Sequence, residues 1–551
     1  MTGEVEARRI TGPHLLGDRT GAALDVPLGE TEGERADAWD AAARRLLRAV
    51  GWAGETTQVA RFRGGARLFV SAPSDSLYAA TELAELAWRE ATGHAPDAAE
   101  LERLRSRVAR ERNPRLLALE AEAARRGLTF LYDDDGVSLG SGAGAMLWPA
   151  DALPSPDDVP WARLSDVPVG LVTGSNGKTS TVRLAAAMAR QAGHVPGYTT
   201  TDGVAIGREI ILPTDFAGPM GARMALRDGR VTVAILETAR GGILRRGLAV
   251  RRADAAVITN IAEDHFGDFG VDSLEALLEA KLVVARVVTG TLILNARDPL
   301  LRARGASLPH VTWFSSDGRV PGAGREVVLE AGEVVAYGGG RRTIATLDDV
   351  PCAGNVAAPH EIENALAATA LALALGVSPE AIRAALAGFD PVADNPGRGM
   401  SLELDGIRIL LDYGHNPHGL AALGHILASV PAERRLLLLG QAGDREDAAI
   451  ADLAAAALAL RPDRIVLKEL ANFRRGREAG EVRALLRQSL AARGFAAEAI
   501  DDAETETEAV ERALAWARPG DLLVLLVHDE RDQVLALLRE AGATASAGAR
   551  P

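Results

Sequence analysis

A glycine-rich segment that ends in a lysine and two hydroxyl residues is the strongest chemical signal in the sequence. It follows an apolar run at 169–172, precedes a helical pattern at 181–192, and comprises Gly174, Ser175, Asn176, Gly177, Lys178, Thr179 and Ser180. In such loops, backbone N–H groups bind phosphate oxygens, the lysine offsets their charge and the threonine hydroxyl binds Mg²⁺. Two residues lie between Gly174 and Gly177, where the common loop has four between its glycines, and a chance Gly-Lys-Thr turn is the alternative. The flanking strand and helix favour nucleotide binding.

Two further candidate residues follow predicted strands. Glu237 ends the apolar run 231–236, and His265 comes shortly after the run 255–259, next to Asp264. Carboxyl ends of parallel strands meet at the edge of the sheet where a phosphate loop lies. We therefore expect Glu237 and His265 to share a divalent cation with a nucleotide or substrate, whereas a surface or capping role is the alternative for His265.

Lysine is almost absent from the chain. Of 61 basic residues only Lys178, Lys281 and Lys468 are lysines, and the other 58 are arginines. Lysine is needed where a compact ammonium, or an amine that can lose its proton, has a task that arginine cannot perform. The alternative is that the three lysines are accidental. For Lys468, which follows a predicted strand at 464–467, contact with substrate or phosphate and a solvated strand end are equally compatible with the pattern.

The elements that must position these residues fall into three units of an α/β protein. We predict a small α+β domain at 1–150, a central parallel-sheet ATPase domain of the P-loop type at 165–396, and a Rossmann-like domain at 397–541. A Pro- and Asp-rich linker at 149–160 follows the first unit. Residues 542–551 are predicted to be a disordered tail.

Composition excludes several classes of function. The chain of 551 residues has 47% hydrophobic and 25% charged residues, which is typical of a soluble globular protein. A net charge of −14 argues against broad adhesion to nucleic acid or anionic membranes. The longest dense apolar run, 522–527, is too short to span a bilayer, and the single cysteine, Cys352, fits a reducing compartment. We therefore expect a cytoplasmic protein without nucleic acid or membrane partners, and a homo-oligomer is compatible with the sequence.

The motifs together resemble the Mur ligase family of ATP-dependent amide ligases, and within it the cyanophycin synthetase branch. The resemblance covers roughly 165–540 and rests on the glycine-rich loop and on six other segments, 197–203, 236–245, 260–265, 294–299, 397–398 and 412–417, with a further one at 475–482. The segment 236–245, Leu-Glu-Thr-Ala-Arg-Gly-Gly-Ile-Leu-Arg, is the one that points to the cyanophycin branch.

The resemblance implies roles for individual residues and implies ATP and Mg²⁺ as cofactors. It implies that the metal is held by Thr179, Glu237, His265 and a carbamylated Lys281, and that Lys178 and Arg398 stabilise the transferred phosphate. It implies nucleotide contacts from Asn364, Arg398, Asp412 and His415. Glu361 departs from the family pattern, which often has Asn there, and this puts the contacts to adenine in question. A simple ion pair of Lys281 with Glu275 or Glu279 on its own helix is the alternative to carbamylation.

The reaction implied by the resemblance joins a small-molecule or peptide carboxylate to an amine, such as an amino acid. Segments 125–128 and 138–142 resemble the threshold of an ATP-grasp domain, but only about 30 residues separate them from the phosphate loop, so we expect no such domain. Two alternatives stay open. One is a non-catalytic nucleotide-binding partner of a separate ATP-grasp enzyme, and the other is a ligase for folate- or cell-wall-type substrates.

Overall fold

The N-terminal unit combines a four-stranded antiparallel sheet with four helices and a smaller three-stranded sheet. The computed structural model describes residues 5–29, 33–264, 266–352 and 357–545. The strands of this unit are β1 Arg8–Ile10, β2 Gly21–Pro27, β3 Thr57–Phe62, β4 Gly65–Ser71, β5 Phe130–Tyr132, β6 Gly136–Leu139 and β7 Met146–Pro149. Its helices are α1 Gly33–Ala49, α2 Leu77–Ala91, α3 Ala98–Glu111 and α4 Pro114–Arg126.

The larger N-terminal sheet has the order β1-β2-β4-β3 and carries α1 and α2 on one face. Every residue of β4 is buried, as expected for a central strand. Trp39 of α1 is fully buried, and its indole nitrogen donates to the carbonyl of Ala84 in α2 at 3.0 Å. The unit thus has its own apolar core, which satisfies the polar end of its largest side chain.

The central unit contains one eleven-stranded sheet with helices on both faces. Its strands are β8 Val169–Thr173, β9 Pro196–Thr200, β10 Gly203–Ile206, β11 Glu209–Leu212, β12 Val233–Glu237, β13 Ala253–Ile258, β14 Val288–Asn295, β15 Val311–Ser315, β16 Glu326–Glu330, β17 Glu333–Tyr337 and β18 Arg341–Thr346. Its helices are α5 Lys178–Gln191, α6 Pro219–Arg227, α7 Arg240–Arg246, α8 Leu274–Lys281, α9 Pro299–Gly305, α10 Pro359–Ala374 and α11 Pro379–Gly388.

The strands that carry the site are parallel and lie in the middle of this sheet. Seven neighbours in the order β9-β12-β8-β13-β14-β15-β16 are parallel, and antiparallel strands extend the sheet at both edges. Their short β-branched and apolar sequences are buried on both faces, because separate apolar clusters cover the two sides. Strands β8, β12 and β13 therefore bring their carboxyl ends to one edge.

The C-terminal unit is a second sheet of mainly parallel strands. Its strands are β19 Met400–Leu404, β20 Ile407–Asp412, β21 Arg435–Leu439, β22 Arg464–Lys468, β23 Ile500–Ala503, β24 Leu522–Leu526 and β25 Thr544–Ala545. Its helices are α12 Pro417–Ser429, α13 Asp447–Ala459, α14 Glu481–Ala492, α15 Glu506–Trp516 and α16 Arg531–Glu540. The order is β23-β22-β21-β24-β20-β19-β25, with the last two strands antiparallel to their neighbours. Within the described ranges, no helix is long and apolar enough to cross a membrane.

Two local expectations differ from the structure. The helix after the phosphate loop begins at Lys178 rather than at residue 181, because the end of the loop forms its first turn. The predicted disordered tail is wrong for Thr544 and Ala545, which pair with Glu403 and Leu402 of β19. Residues 546–551 lie outside the described part of the chain.

Candidate active site

The phosphate loop, which we define as residues 174–180, is joined to the loop after β13 by a network of hydrogen bonds. The backbone N–H of Ser175 donates to the carbonyl of Asn260 at 3.0 Å, and its hydroxyl donates to the carbonyl of Ala262 at 2.7 Å. The side chain of Thr259 donates to the carbonyl of Asn176 at 2.6 Å. These hydrogen bonds attach the phosphate loop to the residues that follow the neighbouring strand β13.

Gly177 shows why the loop needs glycine. Its φ of 84° lies in the left-handed region, and a Cβ there would lie 2.2 Å from Oδ1 of Asn364 on α10. The close approach brings Asn364, which was predicted to contact the nucleotide, against the phosphate loop. Glu361, the departure from the family pattern, accepts from the backbone N–H of Ala358 at 2.7 Å and so caps α10.

Lys178 and Thr179 meet the end of β12 at the first turn of α5. The Thr179 hydroxyl donates to Oε2 of Glu237 at 2.8 Å, and the Thr201 hydroxyl donates to Oε1 of the same carboxylate at 2.9 Å. The Lys178 ammonium donates to the carbonyls of Gly174 and Ser175, each at 3.0 Å. The lysine thus lies over the loop that would hold phosphate, and the buried Glu237 faces it from the next strand.

The oxygen pair formed by Thr179 and Glu237 suits Mg²⁺, which prefers hydroxyl and carboxylate oxygens. In the part of the chain that the structure describes, no three His, Cys, Asp or Glu side chains form a metal cluster. His265, the third predicted ligand, lies outside the described residues. The residues present therefore fit a metal that takes much of its coordination from water and phosphate rather than from protein.

Lys281 ends α8 and is 2% exposed. Burial lowers the pKa of its amine well below the usual lysine value, and the nearby positive charges of Lys178 and Arg240 act in the same direction. Asp264 and Glu237 oppose this effect. The alternative pairing within its own helix is not what the structure shows, because Glu275 and Glu279 are exposed and Glu279 pairs with Arg304 at 3.3 Å.

Arg398, Asp412 and His415 line the opposite wall of a cleft of about 330 Å³ between the central and C-terminal units. The guanidinium of Arg398 stacks over the ring of Tyr413 at 3.9 Å, and its buried Nη2 has no hydrogen-bond partner among the described residues. A buried cationic donor without an acceptor suits an anionic ligand such as phosphate. The carboxylate of Asp412 accepts from the backbone N–H groups of Gly414 at 2.7 Å and Gly399 at 2.8 Å.

Two histidines of the cleft, His360 and His418, were not singled out from the sequence. His360 lines the cleft beside Asn364, and burial lowers its pKa to about 4. Asn176 of the phosphate loop contacts His418 at 2.9 Å and Asn416 at 3.1 Å, both in the C-terminal unit. Only the packing of the two units brings these residues together, so no sequence spacing indicated them.

The surroundings of Lys468 contradict both interpretations made from the sequence, a contact with substrate or phosphate and a solvated strand end. Its side chain is fully buried, and its ammonium contacts Glu506, the carbonyl of Leu526 and Nδ1 of His528. The carboxylate of Glu506 in turn accepts from three backbone N–H groups, those of residues 528, 529 and 530, at 2.7–2.8 Å. Lys468 is therefore neither a solvated strand end nor a substrate contact, but the support of the turn that places His528 at the cleft.

The comparison with family models assigns the two larger units. The Mur ligase middle domain matches residues 172–372, and the domain described as "Mur ligase, glutamate ligase domain" matches residues 397–526. The two matches together span more than half of the sequence. This chain belongs to the Mur ligase family.

Curated relatives are similar to this chain over the same region. The cyanophycin synthetase of Geminocystis herdmanii is 37% identical over 382 residues, which are 67% of this chain and 43% of that protein. A UDP-N-acetylmuramoyl-L-alanyl-D-glutamate–2,6-diaminopimelate ligase of Geobacter metallireducens is 28% identical over 75% of this chain and 84% of that protein. The chain thus spans less than half the length of the cyanophycin synthetases that it matches.

A solved structure supports the same fold. E. coli FolC in complex with DHPP and ADP aligns with a TM-score of 0.51 at 21% identity, over 68% of this chain and 89% of that one. The fold of this chain is therefore similar to that of FolC over the aligned residues.

Proposed function

We propose that this protein is an ATP-dependent ligase that joins a substrate carboxylate to an amine, in a reaction like that of the Mur-ligase part of cyanophycin synthetase. The carboxylate oxygen attacks the γ-phosphorus of ATP, the bond to ADP breaks, and an acyl phosphate forms. The amine nitrogen then attacks the acyl carbon, loses a proton, and inorganic phosphate leaves. No nucleophilic side chain is needed for either step.

The observation that carries this proposal is that Arg398, whose buried Nη2 makes no hydrogen bond within the described residues, lines the same cleft as the Lys178 loop. Two cations that converge on a glycine-rich loop can offset the negative charge that builds up during phosphoryl transfer. Mg²⁺, when bound near Thr179 and Glu237, would supply further neutralisation of phosphate oxygens. Asn364, Asp412 and His415 line the same cleft, which supports a role for them in contacting the nucleoside.

The identity of the two substrates rests on similarity. The relatives named cyanophycin synthetase match the chain at 35–38% identity, which favours an amino acid as the amine and an acidic side chain as the carboxylate. The described structure passes from β7 to β8 within 20 residues, so no ATP-grasp domain lies between the first unit and the phosphate loop. We therefore propose a single kind of ATP-dependent addition.

The test is ADP release from the purified full chain with Mg²⁺-ATP, a panel of amino acids and a panel of small acidic peptides. Mass spectrometry of the products should show a mass increase equal to one amine minus water, formed only when carboxylate, amine and ATP are all present. Lys178→Ala serves as the matched control. Nucleotide binding with neither ADP release nor condensation product would contradict the proposal and would favour a non-catalytic nucleotide-binding partner.

A further inference from the structure

Asp202 contacts arginines from three separate parts of the chain. It lies in the turn between β9 and β10, and its Oδ2 is 2.8 Å from Nη2 of Arg183 on α5. Its Oδ1 is 2.5 Å from Nη1 of Arg531, the first residue of α16, and Nη2 of Arg398 lies 3.7 Å from its Oδ2. One carboxylate of the central unit thus bridges to two cations of the C-terminal unit.

This cluster of Asp202, Arg183, Arg398 and Arg531 is shielded from water. The side chain of Asp202 is 13% exposed, and the three arginine side chains are 9–21% exposed. Burial alone would raise the pKa of Asp202, but the three guanidinium groups together lower it below its usual value. The carboxylate is therefore ionised at neutral pH, and its ion pairs are screened less by salt than those on the surface.

The same cluster holds the segment that joins the two units. Nη1 of Arg183 donates to Oδ1 of Asn395 at 3.1 Å and to the carbonyl of Pro396 at 3.2 Å. The Asn395 amide donates to the hydroxyl of Ser180 in the phosphate loop at 3.2 Å. The joining segment is thus tied both to the phosphate loop and to Asp202.

Gly397 in this segment allows Arg531 to reach Asp202. Its φ is 81°, and a Cβ at this position would lie 2.7 Å from Cδ of Arg531. Any larger residue would displace the arginine. The absence of a side chain at Gly397 therefore leaves room for the Arg531 side chain to cross the joining segment.

We propose that Asp202 is a positioning residue that latches the C-terminal unit closed over the phosphate loop and holds Arg398 at the phosphate site. The cluster contains three guanidinium groups and one carboxylate, and Asp532 pairs with Arg531 at 3.2 Å, so one positive charge remains that nucleotide phosphates would offset. Nucleotide binding should therefore strengthen closure. The expected effect on turnover rests on the proposed function. The expected effect on closure requires only that the chain binds a nucleotide.

The test compares Asp202→Asn and Arg531→Met with the wild-type chain by small-angle X-ray scattering, with and without Mg²⁺ and a non-hydrolysable ATP analogue. Arg531→Met leaves Asp202, Arg183 and Arg398 in place, so it separates closure from a folding defect. Asp317→Asn is the matched control, because Asp317 pairs with Arg297 at 2.8 Å within the central unit alone. Thermal unfolding of each variant checks that it is folded.

We expect the analogue to compact the wild-type and Asp317→Asn chains, and to compact neither Asp202→Asn nor Arg531→Met. The double variant should be no more open than either single one, since both break the same contact. In the turnover assay, kcat should fall about tenfold, and the Kd for ATP should rise because closure and nucleotide binding strengthen each other. A folded Asp202→Asn variant that closes like the wild-type chain would overturn the latch, whether or not ligase activity is found.

Discussion

Lys281 and Lys468 are both buried, yet their surroundings differ. Lys468 contacts Glu506 directly, and its ammonium also reaches a carbonyl and an imidazole. Lys281 has two carboxylates nearby, Asp264 and Glu237, but it also faces the positive charges of Lys178 and Arg240. A buried lysine that is fully paired supports the fold, whereas we expect a catalytic role for a buried lysine that lies near other cations beside a phosphate loop.

The pKa of each group follows from this difference. Burial lowers the pKa of Lys468 despite the opposing effect of Glu506, while Lys468 and His528 offset burial and lower the pKa of Glu506 to about 2. The pKa of Lys281 is lowered well below its usual value, which favours a neutral amine. A neutral amine can react with carbon dioxide to form a carbamate, and a guanidinium cannot.

The largest effect is expected for Lys178, the positive neighbour that makes the surroundings of Lys281 unlike those of Lys468. Lys178→Ala should lower ADP formation at least about 10³-fold, because the charge of the transferred phosphate is then poorly offset. The midpoint of thermal unfolding should stay near that of the wild-type chain. Substantial turnover by the folded variant would remove the loop from the mechanism.

Removing Lys468 should affect the fold rather than the chemistry. Lys468→Met should lower the free energy of unfolding by about 3 kcal/mol or more, since Glu506 is left as an unpaired buried charge. Urea unfolding of Lys468→Met, Glu506→Gln and the double variant measures this effect. The double variant should lose less than Lys468→Met alone, and an equally stable Lys468→Met chain would show that the pair has no structural role.

Removing Lys281 should affect the chemistry rather than the fold. Lys281→Ala should lose about 10²-fold in activity with little loss of stability, and a short carboxylic acid should restore part of the activity. Lys281→Arg should stay inactive. In the wild-type chain, ¹³C-labelled bicarbonate should give a carbamate signal by NMR that is absent from Lys281→Ala. A fully active Lys281→Arg enzyme would contradict carbamylation.

The smallest effect concerns acid stability. The pKa of Glu506 is about 2 in the folded chain and lies near 4.5 without its partners, so its stabilising effect is present above pH 4.5 and is lost as the pH falls towards 2. By pH 3 this one group should account for about 2 kcal/mol of lost stability. The free energy of unfolding, measured with urea from pH 7 to 3, should therefore fall less steeply with pH for Glu506→Gln than for the wild-type chain. An equal pH dependence in the two chains would argue against an ionised Glu506.

The sequence predicted the two parallel sheets well, because short β-branched runs alternate with helical patterns and the phosphate loop marks the first strand of the central unit. Local motifs could also be placed, such as Glu237 at the end of β12 and the loop at 174–180. The surroundings of the lysines could not be predicted. Glu506 lies 38 residues from Lys468, and the apolar strand before the lysine gives no sign that its end is buried.

The contacts between the two larger units could not be predicted from the sequence either. The Asp202 cluster draws on residues 183, 202, 398 and 531. Of these, only Arg398 was assigned a role from the sequence, and none was predicted to contact another. Ion pairs between two domains depend on how the domains pack, and neither the periodicity nor the spacing of residues predicts that packing. The short strand β25 is a similar case, because two residues pair with a distant edge strand.

The central claim is that a substrate carboxylate is activated as an acyl phosphate. The most direct measurement uses a carboxylate substrate labelled with ¹⁸O in both oxygens, turned over with ATP, Mg²⁺ and the amine, followed by mass analysis of the inorganic phosphate. The account predicts that one ¹⁸O atom passes to phosphate for each amide bond formed, because the oxygen that attacked the γ-phosphorus leaves with it. Condensation product accompanied by phosphate without ¹⁸O would contradict the account.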